Sequence, residues 1–173
     1  AIIGLRFREQ PDAQVLRQDA LGAVTVAQLS SGCMCCTAKG EFEAALRDLI
    51  ALEPEAIVIE TAGVTDPAAV MAALRNPRLR LDSVVCVIDA ERFGDYARLS
   101  SAVEFQVYTA DIVLLNKADL AGPEQLAQVT TRVRQFNPRC AIVPCVRCAA
   151  PLDALFGATA ASAAPAFDRR ALF

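Results

Sequence analysis

The feature that most constrains this chain is a set of short, continuously apolar runs rich in β-branched residues. IVIE ending at Glu60, VVCVI ending before Asp89 and IVLL ending before Asn116 lack the alternation of a strand with one wet face. Such runs read as strands buried on both sides, which is the signature of a parallel sheet covered by helices. The segments between them supply those helices. Residues 40–52 place Phe42, Leu46, Leu49 and Ile50 on one helical stripe. Asp66-Pro67 is set to start a helix over 67–75, and a short helical piece is expected near 91–102. Pro123 opens a helix that closes at Asn137-Pro138. Further strands are expected at about 1–5, 24–29 and 140–146, with a short helix at 151–156. The expected fold is a doubly wound, mainly parallel α/β sheet with helices on both faces.

With 173 residues, 54% of them hydrophobic and 21% charged, the chain has enough apolar material for a real core and is about one domain long. The net charge is −3 and the basic residues are scattered singly, so nucleic acid is not an expected partner. No apolar run approaches the ~20 residues needed to span a bilayer. Histidine is absent, which leaves carboxylates, thiols and backbone amides to carry any chemistry. Seven cysteines, three of them crowded into Ser31-Gly32-Cys33-Met34-Cys35-Cys36, suit no secreted disulfide scaffold and point to a reducing, cytoplasmic setting. Cys86 and Cys140 lie in or beside strand patterns and read as small core hydrophobes. Cys145 and Cys148 form a C-x-x-C without the partner pair of a zinc ribbon, which leaves metal or redox use as the lesser reading.

In open α/β sheets ligands gather at the carboxyl ends of the strands, so the polar residues that stop each apolar run are the places to search. IVLL runs into Asn116-Lys117-Ala118-Asp119. The Asp119 carboxylate can accept the paired N–H groups of guanine, the Asn116 amide can bond the other edge of the base, and the Lys117 stem can lie over the ring. The bland alternative is a polar turn in which Asp119 caps the following helix. At Glu60-Thr61-Ala62-Gly63 a strand-tip carboxylate can hold Mg²⁺ directly or through water, and Gly63 lets a backbone N–H approach a terminal phosphate. Asp89, the third strand end, reads as an N-cap.

These segments, in order, are SGCMCC, ETAGVTDP, VVCVIDA and ADIVLLNKADL, and together they resemble the CobW-type P-loop GTPases, relatives of the nickel-insertion GTPases. The resemblance runs from about residue 1 to 157. It implies a P-loop NTPase-like fold and a GTPase that binds zinc or cobalt and delivers it to a client metalloprotein or the cobalamin pathway. It further implies that Cys33, Cys35 and Cys36 are metal-loop thiols, that Glu60 is the magnesium-associated acid, and that Asn116, Lys117 and Asp119 read guanine. Glu9, in Leu5-Arg6-Phe7-Arg8-Glu9, is the one match to an acidic metal ligand. The family's G-x-x-x-x-G-K-[ST] phosphate loop does not occur in these residues, which is expected of a fragment whose first strand lies ahead of Ala1. On this reading 1–157 is a partial GTP-binding domain, and 158–173, rich in Ala and Ser, is a linker or the start of a further domain.

The thiols themselves support metal binding, because adjacent cysteines do not form a relaxed disulfide easily and three thiolates in one loop suit a soft or borderline cation. Zn²⁺ fits first and Co²⁺ shares its geometry. The metal loop would then feel whether GTP and Mg²⁺ are present and tune metal release. The rival expectations are a metal-binding module without nucleotide turnover, and a thiol redox domain using Cys33/Cys36 or Cys145/Cys148.

Overall fold

The computed structural model describes residues 6–7, 28–29, 38–52, 57–61, 70–71, 74, 83–96, 101–151 and 155. The chain divides into two units, residues 1–80 and 81–173. In the first, β1 (Arg6–Phe7) and β2 (Gln28–Leu29) pair in parallel, with Arg6 opposite Gln28 and Phe7 opposite Leu29. Helix α1 (Ala38–Ala51) follows, and the expected stripe is its buried face: Phe42 and Leu46 are buried, with Leu49 and Ile50 half-buried. Residues 57–61 carry one bridge residue, Val58, within the expected strand. The strand expected at 1–5 lies outside the described residues, and so does most of the helix at 67–75, of which Val70 and Met71 are helical.

The second unit is a three-stranded parallel sheet in the order β3 (Val85–Asp89), β4 (Ile112–Asn116), β5 (Ala141–Pro144). Strand β4 sits in the middle, and its apolar run is used on both faces. Val113 and Leu115 enter one core with Ile88, Phe93, Val107, Val129 and Val133. Ile112 and Leu114 enter the other, closed by Cys145 and, partly buried, Val85, Val143 and Leu155. All four are at most 3% exposed, and that two-sided burial is why the run carries no polar alternation. Pro144, which has no N–H to give a ladder, ends the edge strand β5.

The helices α2 (Phe93–Tyr96) and α3 (Ser101–Thr109) connect β3 to β4, and α4 (Pro123–Phe136) connects β4 to β5. The single helical piece expected near 91–102 is therefore two helices, the second reaching Thr109. Helix α4 starts and stops where the sequence puts it. Pro123 stands in its first turn, where a missing N–H costs nothing, and the N–H of Asn137 closes it on the Val133 carbonyl at 2.8 Å. At the opposite end of the sheet Asp111 ties two strands together. Its carboxylate accepts the Val84 N–H at 2.7 Å, and its own N–H donates to the Val84 carbonyl at 2.8 Å.

Candidate nucleotide site

The parallel register sets three strand ends side by side. Asp89 stands opposite Asn116, and Leu115 stands opposite Pro144, so the polar residues after β3, β4 and β5 emerge at one edge of the sheet. The ladder is carried past the strands into the loops. The Ala90 N–H donates to the Asn116 carbonyl at 2.9 Å, Cys145 N–H to Leu115 at 2.9 Å, and Ala118 N–H back to Cys145 at 3.1 Å.

Asn116 is the hinge of this edge. Its Oδ1 accepts the backbone N–H of Cys148 at 2.9 Å and the Cys145 thiol at 3.9 Å. Because a backbone N–H can only donate, the side-chain atom facing it must be oxygen, and the amide orientation follows. No described residue accepts from Nδ2. The half-buried amide thus spends its acceptor on the protein and keeps its two donors uncommitted among the described residues.

Lys117 lies at φ 60°, and its ammonium is 2.7 Å from Asp89 Oδ2. The hydrogen bond to Asp89 and its charge hold the lysine above its ordinary range, and the same bond holds the Asp89 carboxyl below its own. The shifts act outward in both directions: acid breaks the pair only below the usual aspartate range, and alkali only above the usual lysine range. Both side chains are partly exposed, so the consequence is geometric more than energetic. Asp119 is exposed in the turn that follows. It does not cap α4, whose N-cap is Gly122 with no side-chain bond, so of the bland reading the polar turn stands and the cap does not.

Among the described residues Lys117, Arg147 and Cys148 are the non-glycine residues at positive φ, at 60°, 52° and 56°. Each such residue costs on the order of 1 kcal/mol. All three belong to the loops after β4 and β5 that surround Asn116. Strain concentrated in this way marks a site whose shape matters more than its stability.

The family model described as CobW/HypB/UreG, nucleotide-binding domain, matches residues 6–144. The chain belongs to this family. A zinc chaperone CobW of Pseudomonas aeruginosa is 30% identical over 184 residues, covering 86% of this chain and 49% of its own length. A zinc-regulated GTPase metalloprotein activator 1 of Schizosaccharomyces pombe is 34% identical over 118 residues, covering 63% of this chain and 28% of its own. The chain thus spans about half or less of the curated relatives it matches. In fold it is similar to the Zn(II)-bound YjiA GTPase of Escherichia coli, with a TM-score of 0.61 at 22% identity over 78% of this chain and 43% of that one. The α/β fold is of the P-loop NTPase kind.

Of the residues expected to carry function in this CobW-type domain, Asn116, Lys117 and Asp119 fall together at the tip of β4. Glu60 is described as an exposed carboxylate in the first unit. Gly63, Glu9, Cys33, Cys35 and Cys36 lie outside the described residues. Two contributors go beyond what local sequence suggests. Asp89 does form a local turn, its Oδ1 accepting the Glu91 N–H at 3.0 Å, but its second oxygen reaches across to Lys117. The C-x-x-C contributes a backbone N–H, a carbonyl and one thiol as a brace under Asn116. The signal for both is their place, as the polar residues that follow apolar runs neighbouring the N-K-x-D strand.

Proposed function

We propose that this chain is the nucleotide-binding part of a GTP-dependent zinc chaperone that passes its metal to a client metalloprotein. The observation that carries the nucleotide half is the half-committed amide of Asn116 beside the exposed Asp119. Nδ2 offers N–H groups to a ring acceptor, the Asp119 carboxylate accepts the two N–H groups of guanine's pairing edge, and the Lys117 stem covers the base. Adenine presents no such donor pair, so selectivity comes from hydrogen bonds that a wrong base leaves unmade. Glu60, a hard oxygen donor, suits the Mg²⁺ that accompanies a nucleotide triphosphate, and Gly63 leaves room for a terminal phosphate. Bound Mg²⁺ would neutralise phosphate charge.

The metal half is supported by the chemistry of Cys33, Cys35 and Cys36 and by the zinc named in the relatives' descriptions. Three thiolates, with Glu9 as an oxygen donor, make a borderline-soft set that takes Zn²⁺ and also fits Co²⁺. Coupling follows if GTP state reshapes the loop that holds the metal, so that turnover releases it to the client. A cytoplasmic setting, where thiols stay reduced, suits this exchange.

The test is calorimetric titration of the full-length protein with GDP, ADP and XDP. The native protein is expected to prefer GDP over ADP by about 100-fold or more, and Asp119→Asn to move the preference to XDP, whose exchanged carbonyl meets the amide. Equal binding of GDP and ADP, or an unchanged preference in Asp119→Asn, overturns the guanine assignment. For the metal, replacing Cys33, Cys35 and Cys36 together by Ser is expected to abolish tight Zn²⁺ uptake. Unchanged affinity overturns the thiol loop.

A further inference from the structure

Asp89 is a side chain at this edge that the guanine reading leaves without a task. It stands one strand away from the N-K-x-D segment, yet it is fastened from several directions. Its Oδ1 accepts the Glu91 N–H at 3.0 Å, which fixes the carboxylate in its own turn. That turn is pinned from α4, where the Gln125 side-chain amide donates to the carbonyls of Ala90 and Glu91. The Ala90 N–H is bound to the Asn116 carbonyl at 2.9 Å. Oδ2 is left to meet the Lys117 ammonium at 2.7 Å. Lys117 is thereby held at both ends, its backbone at φ 60° by the β4 tip and its ammonium by Asp89.

We propose that Asp89 is a positioning residue for guanine binding: it holds the Lys117 ammonium over the tip of β3, so that the lysine stem is laid out as a platform before the base arrives. The proposal rests on the guanine reading of the N-K-x-D segment. A lysine stem loses much of its rotamer freedom when a ligand packs on it, and a stem already tethered has less to lose. The directions in which the two groups are shifted agree, since each holds the other charged across the neutral range. The platform touches the face of the base and Asp119 reads its edge. Affinity and selectivity should therefore separate.

The decisive measurement is a double-mutant cycle on full-length protein with a fluorescent GDP analogue, using Asp89→Asn, Lys117→Met and the pair. Asparagine keeps an oxygen for the Glu91 N–H while removing the charge, so the turn survives. Asp89→Asn is expected to weaken binding about fivefold with the GDP-over-XDP ratio unchanged, and Asp89→Glu to restore most of the loss. In the Lys117→Met background the Asp89→Asn exchange is expected to have no further effect, because Asp89 acts through the lysine. Undiminished binding by Asp89→Asn, or the same fivefold loss with Lys117 absent, overturns the inference while leaving the guanine reading standing. A native protein with no preference for guanine overturns both.

Discussion

Two asparagines stand at the ends of structural elements in the same half of this molecule, and they are used in opposite ways. Asn137, 5% exposed, spends its whole amide on the chain: Nδ2 donates to the carbonyls of Val107, Tyr108 and Ala110 at 3.0, 3.1 and 2.8 Å, and Oδ1 accepts the N–H groups of Arg139 and Cys140 at 3.1 Å each. It closes the end of α3 against the turn between α4 and β5. Asn116 spends only its oxygen, on the Cys145–Cys148 loop, and no described residue takes up its donors. A fully satisfied amide is a fastening. A half-satisfied one at a strand tip is a reader, and its oxygen's commitment is what aims its nitrogen.

The strongest way to break that contrast is Asn137→Ala. It removes five hydrogen bonds at a side chain that is 5% exposed, and a loss of about 3–4 kcal/mol is expected. Urea unfolding measures it, and nucleotide selectivity should survive in the folded fraction. A loss below about 1 kcal/mol would mean that water takes over these bonds and that Asn137 is no fastening. Asn116→Ala should do the reverse. Guanine affinity is expected to fall about 30-fold, near 2 kcal/mol, with the unfolding midpoint little changed because the N–H it releases at 2.9 Å, that of Cys148, lies in an exposed loop where water can replace it. If stability falls as much as affinity, the two asparagines do the same work.

What was legible in the sequence follows the same division. β3, β4 and α4 are legible because their signals are local: uninterrupted β-branched runs, Pro123 in the first turn and Asn137-Pro138 at the end. The split between α2 and α3 was not, because Val103, Phe105 and Val107 do not fall on one stripe and no local period marks where one helix gives way to the next. At the site, Asn116, Lys117 and Asp119 were readable from one segment. The bond from Lys117 to Asp89 spans 28 residues, and that from Cys148 to Asn116 spans 32, distances at which local pattern is silent. The positive φ values of Arg147 and Cys148 are equally hidden, since neither is Gly or Asn, the residues that ordinarily advertise that conformation.

The thiols sharpen the comparison next. Cys86, on β3, packs partly buried against the core, and burial, with Cys140 nearby, pushes its thiol up to about 12 from an ordinary 9.0. In the unfolded chain that thiol ionises near its ordinary value, so folding holds a proton that unfolding releases. Stability is intact below that value and falls as pH rises from about 9 to about 12, by about 1.4 kcal/mol per pH unit. Unfolding at pH 8, 9 and 10 measures the slope. Cys86→Val should reduce it. An equal slope in Cys86→Val would mean that the thiol is not sealed in the core.

The smallest expected effect tests where strain is kept. Arg147 is exposed and held at φ 52°, while the turn at Asn137 sits at φ −141° and carries no such cost. Arg147→Gly removes the clash of a Cβ in the left-handed region, worth roughly 1–2 kcal/mol, and gives back roughly 0.5–1 kcal/mol in the entropy of a freer unfolded chain. The net is a gain of about 0.5–1 kcal/mol, or roughly 1–4 °C in a chain of this size. The same change loosens the loop that presents the Cys148 N–H to Asn116, so guanine affinity should fall about two- to threefold as stability rises. Opposite signs from one substitution are what a strained reading loop requires. If stability and affinity instead fall together, the arginine at this position is a structural support, and the loop is fastened in the manner of Asn137.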